Sequence, residues 1–188
     1  MRTEFFGENA GLRRFRPEDA APLHEAARES FKEMLPWMRW CEPDFSLADS
    51  AAWIEFTKSA WDKADSYNFA IVELGRGQLA GSIWLSHVNR KHKFANLGYW
   101  VRTSCAGGGL ATAAGRLIAQ FGFGELGLNR LEIMVVVGNR ASERVAEKLG
   151  AHREGILRQR LQLEGQAKDA TMFGLLAEEF TNLNSAGA

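Results

Sequence analysis

The sequence predicts an α/β domain built on a mixed sheet of about seven strands with helices on both faces. Three observations predict it. Strand-like and helix-like segments follow one another in the order βααβββαβαββ. A hairpin pattern, Phe69 to Leu74 and Leu79 to Val88 around Gly75-Arg76-Gly77, occupies the middle of the chain. After the next strand the apolar period changes from two to helical, behind a run of three glycines.

Each element has its own signal. Gly11 to Phe15 reads as a short strand, and Pro17-Glu18-Asp19 then supplies the proline and acidic first turn of a helix start. Leu23, Ala26, Ala27, Ser30, Phe31 and Met34 recur at helical spacing, with Pro22 confined to the first turn, since deeper in the helix it would cost about 3 kcal/mol. Pro36 and Pro43 bracket a loop, and a second helix runs from Leu47 to about Ala64 with Ser46 and Asp49 as a capping pair. Past the hairpin, Asn89 to Lys93 turns into a strand, Phe94 to Arg102. A helix with Leu110, Ala114, Leu117, Ile118 and Phe121 on one stripe follows. Strand Leu131 to Val137, helix Arg140 to Leu149 and strands Arg153 to Leu163 and Ala167 to Leu176 complete the domain. No repeat or linker interrupts it, so residues 1–180 form one domain and Thr181 to Ala188 a short tail.

Composition excludes several function classes. With 188 residues, 46% hydrophobic and 24% charged, the chain buries roughly 70% of its unfolded surface without metal or disulfide staples, which excludes disordered and collagen-like classes. Cys41 and Cys105 lie far apart and in no metal-ligand spacing, and the four histidines, His24, His87, His92 and His152, are scattered; no metal is expected. Met1 to Ala20 has no apolar signal region, and Ile133 to Val137 is far short of a membrane span of about 20 residues. A reducing cytoplasm is the expected compartment. The 23 basic and 23 acidic residues cancel, which removes the whole-chain argument for nucleic acid. Their distribution is uneven: Met1 to Gly75 carries 9 basic and 14 acidic residues, Arg76 to Ala188 carries 14 and 9. The second part therefore favours a polyanionic ligand.

Chemistry concentrates at two helix starts. In Tyr99-Trp100-Val101-Arg102-Thr103-Ser104-Cys105-Ala106-Gly107-Gly108-Gly109-Leu110-Ala111-Thr112 a strand enters glycines and the glycines enter a helix. Such a loop brings free amides and a positive dipole end to a pyrophosphate, or it is an ordinary strand-to-helix connection; both readings stand on the glycines alone. A Walker A loop fails because no Lys-Ser/Thr follows, and a dinucleotide fingerprint fails on spacing. Asn139-Arg140-Ala141-Ser142 opens the second helix, either as a cap or as ligand-binding residues. Together the two segments set two helix N-termini side by side at the carboxyl ends of neighbouring strands, where open α/β sheets bind ligands.

At these residues the sequence resembles the GNAT superfamily of N-acetyltransferases, and within it the Rim-type enzymes that modify the N-termini of ribosomal proteins. The resemblance takes in Leu12 to Ala20, Leu35-Pro36-Trp37-Met38, Gly98-Tyr99-Trp100-Val101, the glycine loop, Asn139 to Gly150 and Glu154-Gly155-Ile156-Leu157-Arg158. The family's motif, Gln/Arg-x-x-Gly-x-Gly/Ala, falls on Ala106 to Ala111; Gly109 and Ala111 match, and Ala106 replaces the leading side chain while leaving the backbone amides. The resemblance implies a mixed, mostly antiparallel sheet with splayed central strands that hold acetyl-CoA. It implies that the strand Asn96 to Arg102, with Trp100, Val101 and Arg102, pairs with the pantetheine amides as an added strand would. Ala106, Gly107, Gly108, Gly109, Leu110, Ala111 and Thr112 would cradle the pyrophosphate, Asn139 would bind the pantetheine arm, and Ser142 would approach the thioester sulfur. A homodimer is also within what the resemblance implies.

Direct transfer to an amine requires a neutral nucleophile and a proton for the departing thiolate. Many family members donate that proton from a tyrosine seven residues after the Asn, here Ala146, so Ser142 is the remaining donor. The position that often carries a Glu base is Asn96, which accepts no proton at neutral pH. An α-amino group, with an ordinary pKa of about 7.7 to 8.0, has less need of a base than a lysine amine near 10.4. Trp37, Trp40, Glu42 and His87 are the candidates for acceptor binding; aromatic rings beside a carboxylate suit a cationic amine, and nearby Trp53, Phe56 and Trp61 equally suit a core. Cys105 borders the glycine loop without an evident partner base, and Arg140, Arg144 and Lys148 form either a solvated face or a CoA-phosphate contact.

Overall fold

A computed structural model describes residues 1–38, 40 and 44–185, so Cys41 and Glu42 lie outside the described residues. The chain opens with strands β1 (Glu4–Phe6) and β2 (Ala10–Arg14) and helices α1 (Ala20–Met34) and α2 (Leu47–Asp62). Strands β3 (Tyr67–Glu73), β4 (Gln78–Asn89) and β5 (Phe94–Val101) follow as a meander. Then come helix α3 (Leu110–Gln120), strand β6 (Arg130–Val136), helix α4 (Arg140–Lys148), strands β7 (His152–Leu163) and β8 (Gln166–Leu176), and helix α5 (Ala177–Ser185). The expected order holds with two corrections. The sheet has eight strands among the described residues, because β1 pairs with β2 through Phe5 opposite Leu12; three residues with one inward side chain leave no alternation to read. The tail expected from Thr181 is helical as far as Ser185, anchored where Phe180 packs on Phe123 at 5.5 Å between ring centroids.

Strand order is β1-β2-β3-β4-β5-β6-β8-β7, antiparallel throughout except between β5 and β6. The apolar alternation of β3 shows why both faces are covered. Ala70 points into a cluster with Leu23, Ala26, Met34 and Ile54 of α1 and α2, whereas Phe69 and Ile71 point into one with Leu110, Ala114, Leu117 and Ile118 of α3. Burying both faces of central strands is the main stabilising contribution of such an architecture.

The β5–β6 pair is what positions the site. It consists of three rungs, Phe94 with Arg130, Ala95 with Leu131 and Asn96 with Glu132. Beyond Asn96 each strand keeps only its outer neighbour: β5 stays on β4 as far as Val101 opposite Gly81, and β6 stays on β8 as far as Val136 opposite Ala170. The centre of the sheet therefore forks, and the helices α3 and α4 start at the open end of the fork.

The entry to α1 is fixed by a buried ion pair. Asp19, 4% exposed, accepts two bonds from the Arg13 guanidinium at 2.6 and 2.7 Å and a third from the Arg16 backbone N–H at 2.8 Å. Pro17–Asp19 forms a tight turn before the helix, and Pro22 sits in the first turn of α1, where its missing N–H costs nothing. Asp19→Ala leaves the Arg13 charge without its partner and is expected to cost about 3 kcal/mol. For a chain of this size that lowers the midpoint of thermal unfolding by roughly 6 to 12 °C, measurable by calorimetry. At the start of α2 the reciprocal cap is present, with Ser46 N–H donating to Asp49 at 2.8 Å and Asp49 N–H donating to Ser46 Oγ at 3.2 Å.

Candidate active site

The fork opens into a cleft of about 460 Å³. Strand β5 contributes Tyr99, Trp100 and Val101; the loop and first turn of α3 contribute Ala106, Gly107, Gly109, Leu110, Ala111 and Thr112. From α4 and its cap come Asn139, Ala141, Ser142, Arg144, Val145 and Lys148, and from the end of α1 and the loop after it Glu33, Met34, Trp37 and Met38. Residues far apart in sequence thus meet where the ladder is missing.

Gly109 is the N-cap of α3, and no side chain caps that helix. The loop reaches it through two left-handed residues, Gly107 at φ +82° and Gly109 at φ +79°, a region that side chains with a Cβ rarely enter. A Cβ built at Gly107, Gly108 or Gly109 would meet no atom within 4 Å, so the bare backbone faces open space. The positive end of an 11-residue helix is left uncovered at the cleft. Gly108 itself is not among the lining residues.

At the other helix start, Asn139 Oδ1 accepts the Ser142 backbone N–H at 3.1 Å and so caps α4, which leaves its Nδ2 outside the cap. Ser142 Oγ lies 2.8 Å from the Tyr99 hydroxyl, which is also 3.4 Å from the Ser142 carbonyl oxygen. Burial pushes the Tyr99 phenol up to about 12, with the bond to Ser142 acting in the opposite direction. The phenol is therefore neutral near pH 7 and has a proton to donate to Ser142 Oγ, which frees the serine's own proton for the cleft.

The other residues singled out in the sequence are distributed as follows. Arg102 does not line the cleft; its guanidinium donates to Glu25 and Glu29 at 2.5 Å each, while Ser104 N–H donates to Glu29 and Thr103 N–H to Ser30, fastening the glycine loop to α1. Asn96 is the last rung of the fork, lines neither cavity, and has a buried Oδ1 with no hydrogen-bond partner. His87 is exposed at a bulge of β4, away from the cleft. Trp37 lines the cleft; Trp40 instead lines a second, aromatic cavity that shares Trp100 with it. Ala146 is fully buried. Cys105 lines the cleft and its Sγ accepts from Gln78 Nε2 at 3.2 Å.

A family model for the GNAT acetyltransferase domain matches residues 10–152, from β2 to the start of β7 and through the whole cleft. The chain belongs to the GNAT acetyltransferases. This acetyltransferase is 31% identical over 175 residues to Bacillus subtilis YdaF, provisionally named a ribosomal N-acetyltransferase, covering 92% of the chain and 94% of that protein. It is 29% identical over 104 residues to the spermidine N(1)-acetyltransferase of Escherichia coli K12, covering 55% and 56%. Among solved structures, Mycobacterium smegmatis RimJ in complex with a CoA-disulfide superposes with a TM-score of 0.84 at 25% identity, covering 95% of this chain and 89% of that one. No helix is long and apolar enough to cross a membrane among the described residues.

Among the residues lining the cleft of this GNAT acetyltransferase to which the sequence assigns no role, Tyr99 is the one that bonds Ser142 Oγ. Strand parity carried the signal: Tyr99 shares a face with Ala95 and Leu97, which pack toward α3 and α4, whereas Trp100 faces α1 and α2. With Ala146 sealed in the core, the phenol reaches Ser142 from β5 rather than from α4.

Proposed function

We propose that this protein is a cytoplasmic acetyl-CoA-dependent N-acetyltransferase that transfers the acetyl group directly to the α-amino group of a peptide or protein N-terminus, of the ribosomal-protein type. The observation that carries the reading is the joining, in one cleft, of the uncapped start of α3 with the Ser142–Tyr99 pair. The residues present fit a CoA-type ligand: three glycines leave room that any side chain would fill, and the lining cations Arg144 and Lys148 outnumber the one carboxylate, Glu33. Acetyl-CoA supplies a thioester, an acyl group already activated for attack by an amine. The amides of Gly107 to Thr112 would hold its pyrophosphate, the free edge of β5 its pantetheine amides, and Asn139 Nδ2 the arm beyond them.

The chain's own residues then have two tasks. Ser142 Oγ donates a hydrogen bond to the departing sulfur and accepts one from the Tyr99 O–H; both hydroxyls keep their protons, and the sulfur takes the proton that the attacking amine sheds as the C–S bond breaks. The second task, removing a proton from the acceptor, has no dedicated residue: Glu33, engaged with Thr103 Oγ1 at 3.3 Å, is the only carboxylate lining the cleft among the described residues, and no histidine lines it. An acceptor that arrives partly neutral suits that site, which favours an α-amino group over a polyamine or lysine.

The test is calorimetric titration with acetyl-CoA, followed by thiol release against short peptides of different first residue and a panel of free amines. Binding with peptide turnover supports the reading; turnover of spermidine alone replaces the acceptor, and binding without any turnover replaces catalysis by a CoA-sensing role. The pH profile of kcat/KM rises through about pH 8, as the acceptor loses its proton, and stays level to above pH 10, because the raised Tyr99 phenol keeps its proton until about 12. Tyr99→Phe lowers kcat about 10-fold with little change in KM for the cofactor, as expected of a residue that positions Ser142 rather than binding the ligand.

A further inference from the structure

On the opposite face of β5 from Ser142, the sheet and helices α1 and α2 enclose a cavity of about 180 Å³. Among the described residues, five aromatic rings, Trp40, Phe45, Trp53, Trp84 and Trp100, make most of its wall, together with Leu23 and Asn68. Four of the chain's six tryptophans are spent here. Trp84 lies directly against β5 because residue 98 is glycine: a Cβ there would fall inside the indole ring. Trp40, 39% exposed, stands at the rim with its ring 5.3 Å from Trp100 and 5.5 Å from Phe45. Trp100, nearly buried, is the wall common to this cavity and the cleft, so whatever fills the cavity lies one indole away from the proposed cofactor site.

We infer that the cavity receives a large uncharged apolar side chain, aromatic or branched aliphatic, carried next to the acetylated amine of the acceptor; the inference rests on the transferase reading above. Size and lining select the occupant. An apolar cavity of roughly 150 Å³ stays dry and takes a benzene ring, so this one has room for a phenyl or isobutyl group. Aromatic faces also attract cations, so a quaternary ammonium is the competing occupant in the test below. The acceptor is therefore sorted by the residue that bears the reacting amine or by the one after it, through burial of its side chain.

Steady-state thiol release with peptides that differ only at residue 1 or 2 tests this. Phe or Leu at one of those positions is expected to raise kcat/KM about 10-fold or more over Ala. Trp53→Ala is expected to bring that Phe-to-Ala ratio back toward one; because both substrates are measured on the same preparation, any loss of folded enzyme cancels. A binding readout independent of turnover is indole fluorescence, which phenylalanine amide changes and alanine amide does not. Turnover of all peptides at equal rates, with no fluorescence response to phenylalanine amide, overturns the inference and leaves the transferase standing. A response to tetramethylammonium but not to phenylalanine amide overturns it in favour of a cation cage. If no peptide is turned over, the transferase reading fails, and the fluorescence titration alone decides the cavity's occupant.

Discussion

Ser142→Ala is expected to lower kcat by about 10²- to 10³-fold while the dissociation constant for acetyl-CoA moves by less than about threefold. The substitution is clean in structural terms. The cap of α4 runs from Asn139 Oδ1 to the Ser142 backbone N–H, which alanine retains, and alanine is the best helix former for the first turn. What disappears is one hydroxyl, half-buried, 2.8 Å from the Tyr99 phenol. Tyr99 keeps its weaker contact to the residue 142 carbonyl oxygen and is not stranded without a partner. Single-turnover thiol release, with calorimetric titration on the same sample, separates the two quantities. An unchanged kcat assigns Ser142 to the helix start alone, and a large rise in the dissociation constant with unchanged kcat assigns it to binding.

Gly109→Asp is expected to weaken acetyl-CoA binding at least 100-fold, with a loss of thermal stability no larger than that of Gly109→Asn. Asp is among the few residues that tolerate a left-handed backbone, and at φ +79° its Cβ meets nothing within 4 Å. Its carboxylate would bring a negative charge to the bare start of α3 and so oppose the charge offered to a pyrophosphate. Gly109→Asn is the matched control: it fills the same space without the charge and is expected to weaken binding less. The gap between the two variants should narrow as salt is added, since the repulsion is screened over about 10 Å at 0.1 M ionic strength. Equal binding by wild type and both variants would remove the glycine loop from the cofactor site.

Much of the fold was legible because its signals are local. The hairpin around Gly75-Arg76-Gly77, the glycine entry to α3 and the Ser46–Asp49 cap each depend on residues within a few positions of one another, and each is found at the expected place. Strand β1 was not legible, since three residues with a single buried side chain carry no period, and α5 was hidden by a polar sequence that helix packing through Phe180 overrides. At the site, the motif residues on the two helix starts converge as expected. Arg102 illustrates the limit: nothing local to it points to Glu25 and Glu29, more than 70 residues away, which take its guanidinium. The pairing of Tyr99 with Ser142 and the grouping of three further indoles with Trp100 are likewise products of tertiary register, which no spacing in one chain reveals.

The three rungs between β5 and β6 also divide the chain in time and in space. Everything on one side of the seam, β1 to β5, comes from the first 101 residues, and everything on the other, β6, β8 and β7, from residue 130 onward. Each side is tied by antiparallel ladders of its own, so the short parallel junction is the pairing that carries little of the sheet's bonding. The eight-stranded sheet is accordingly two antiparallel ladders joined at one short seam, and α3 lies on the chain's crossing from one to the other. Widening or narrowing the gap beyond Asn96 breaks no ladder bond, but the core shared across the seam, Leu85 and Leu97 with Leu131 and Ile133, has to move with it.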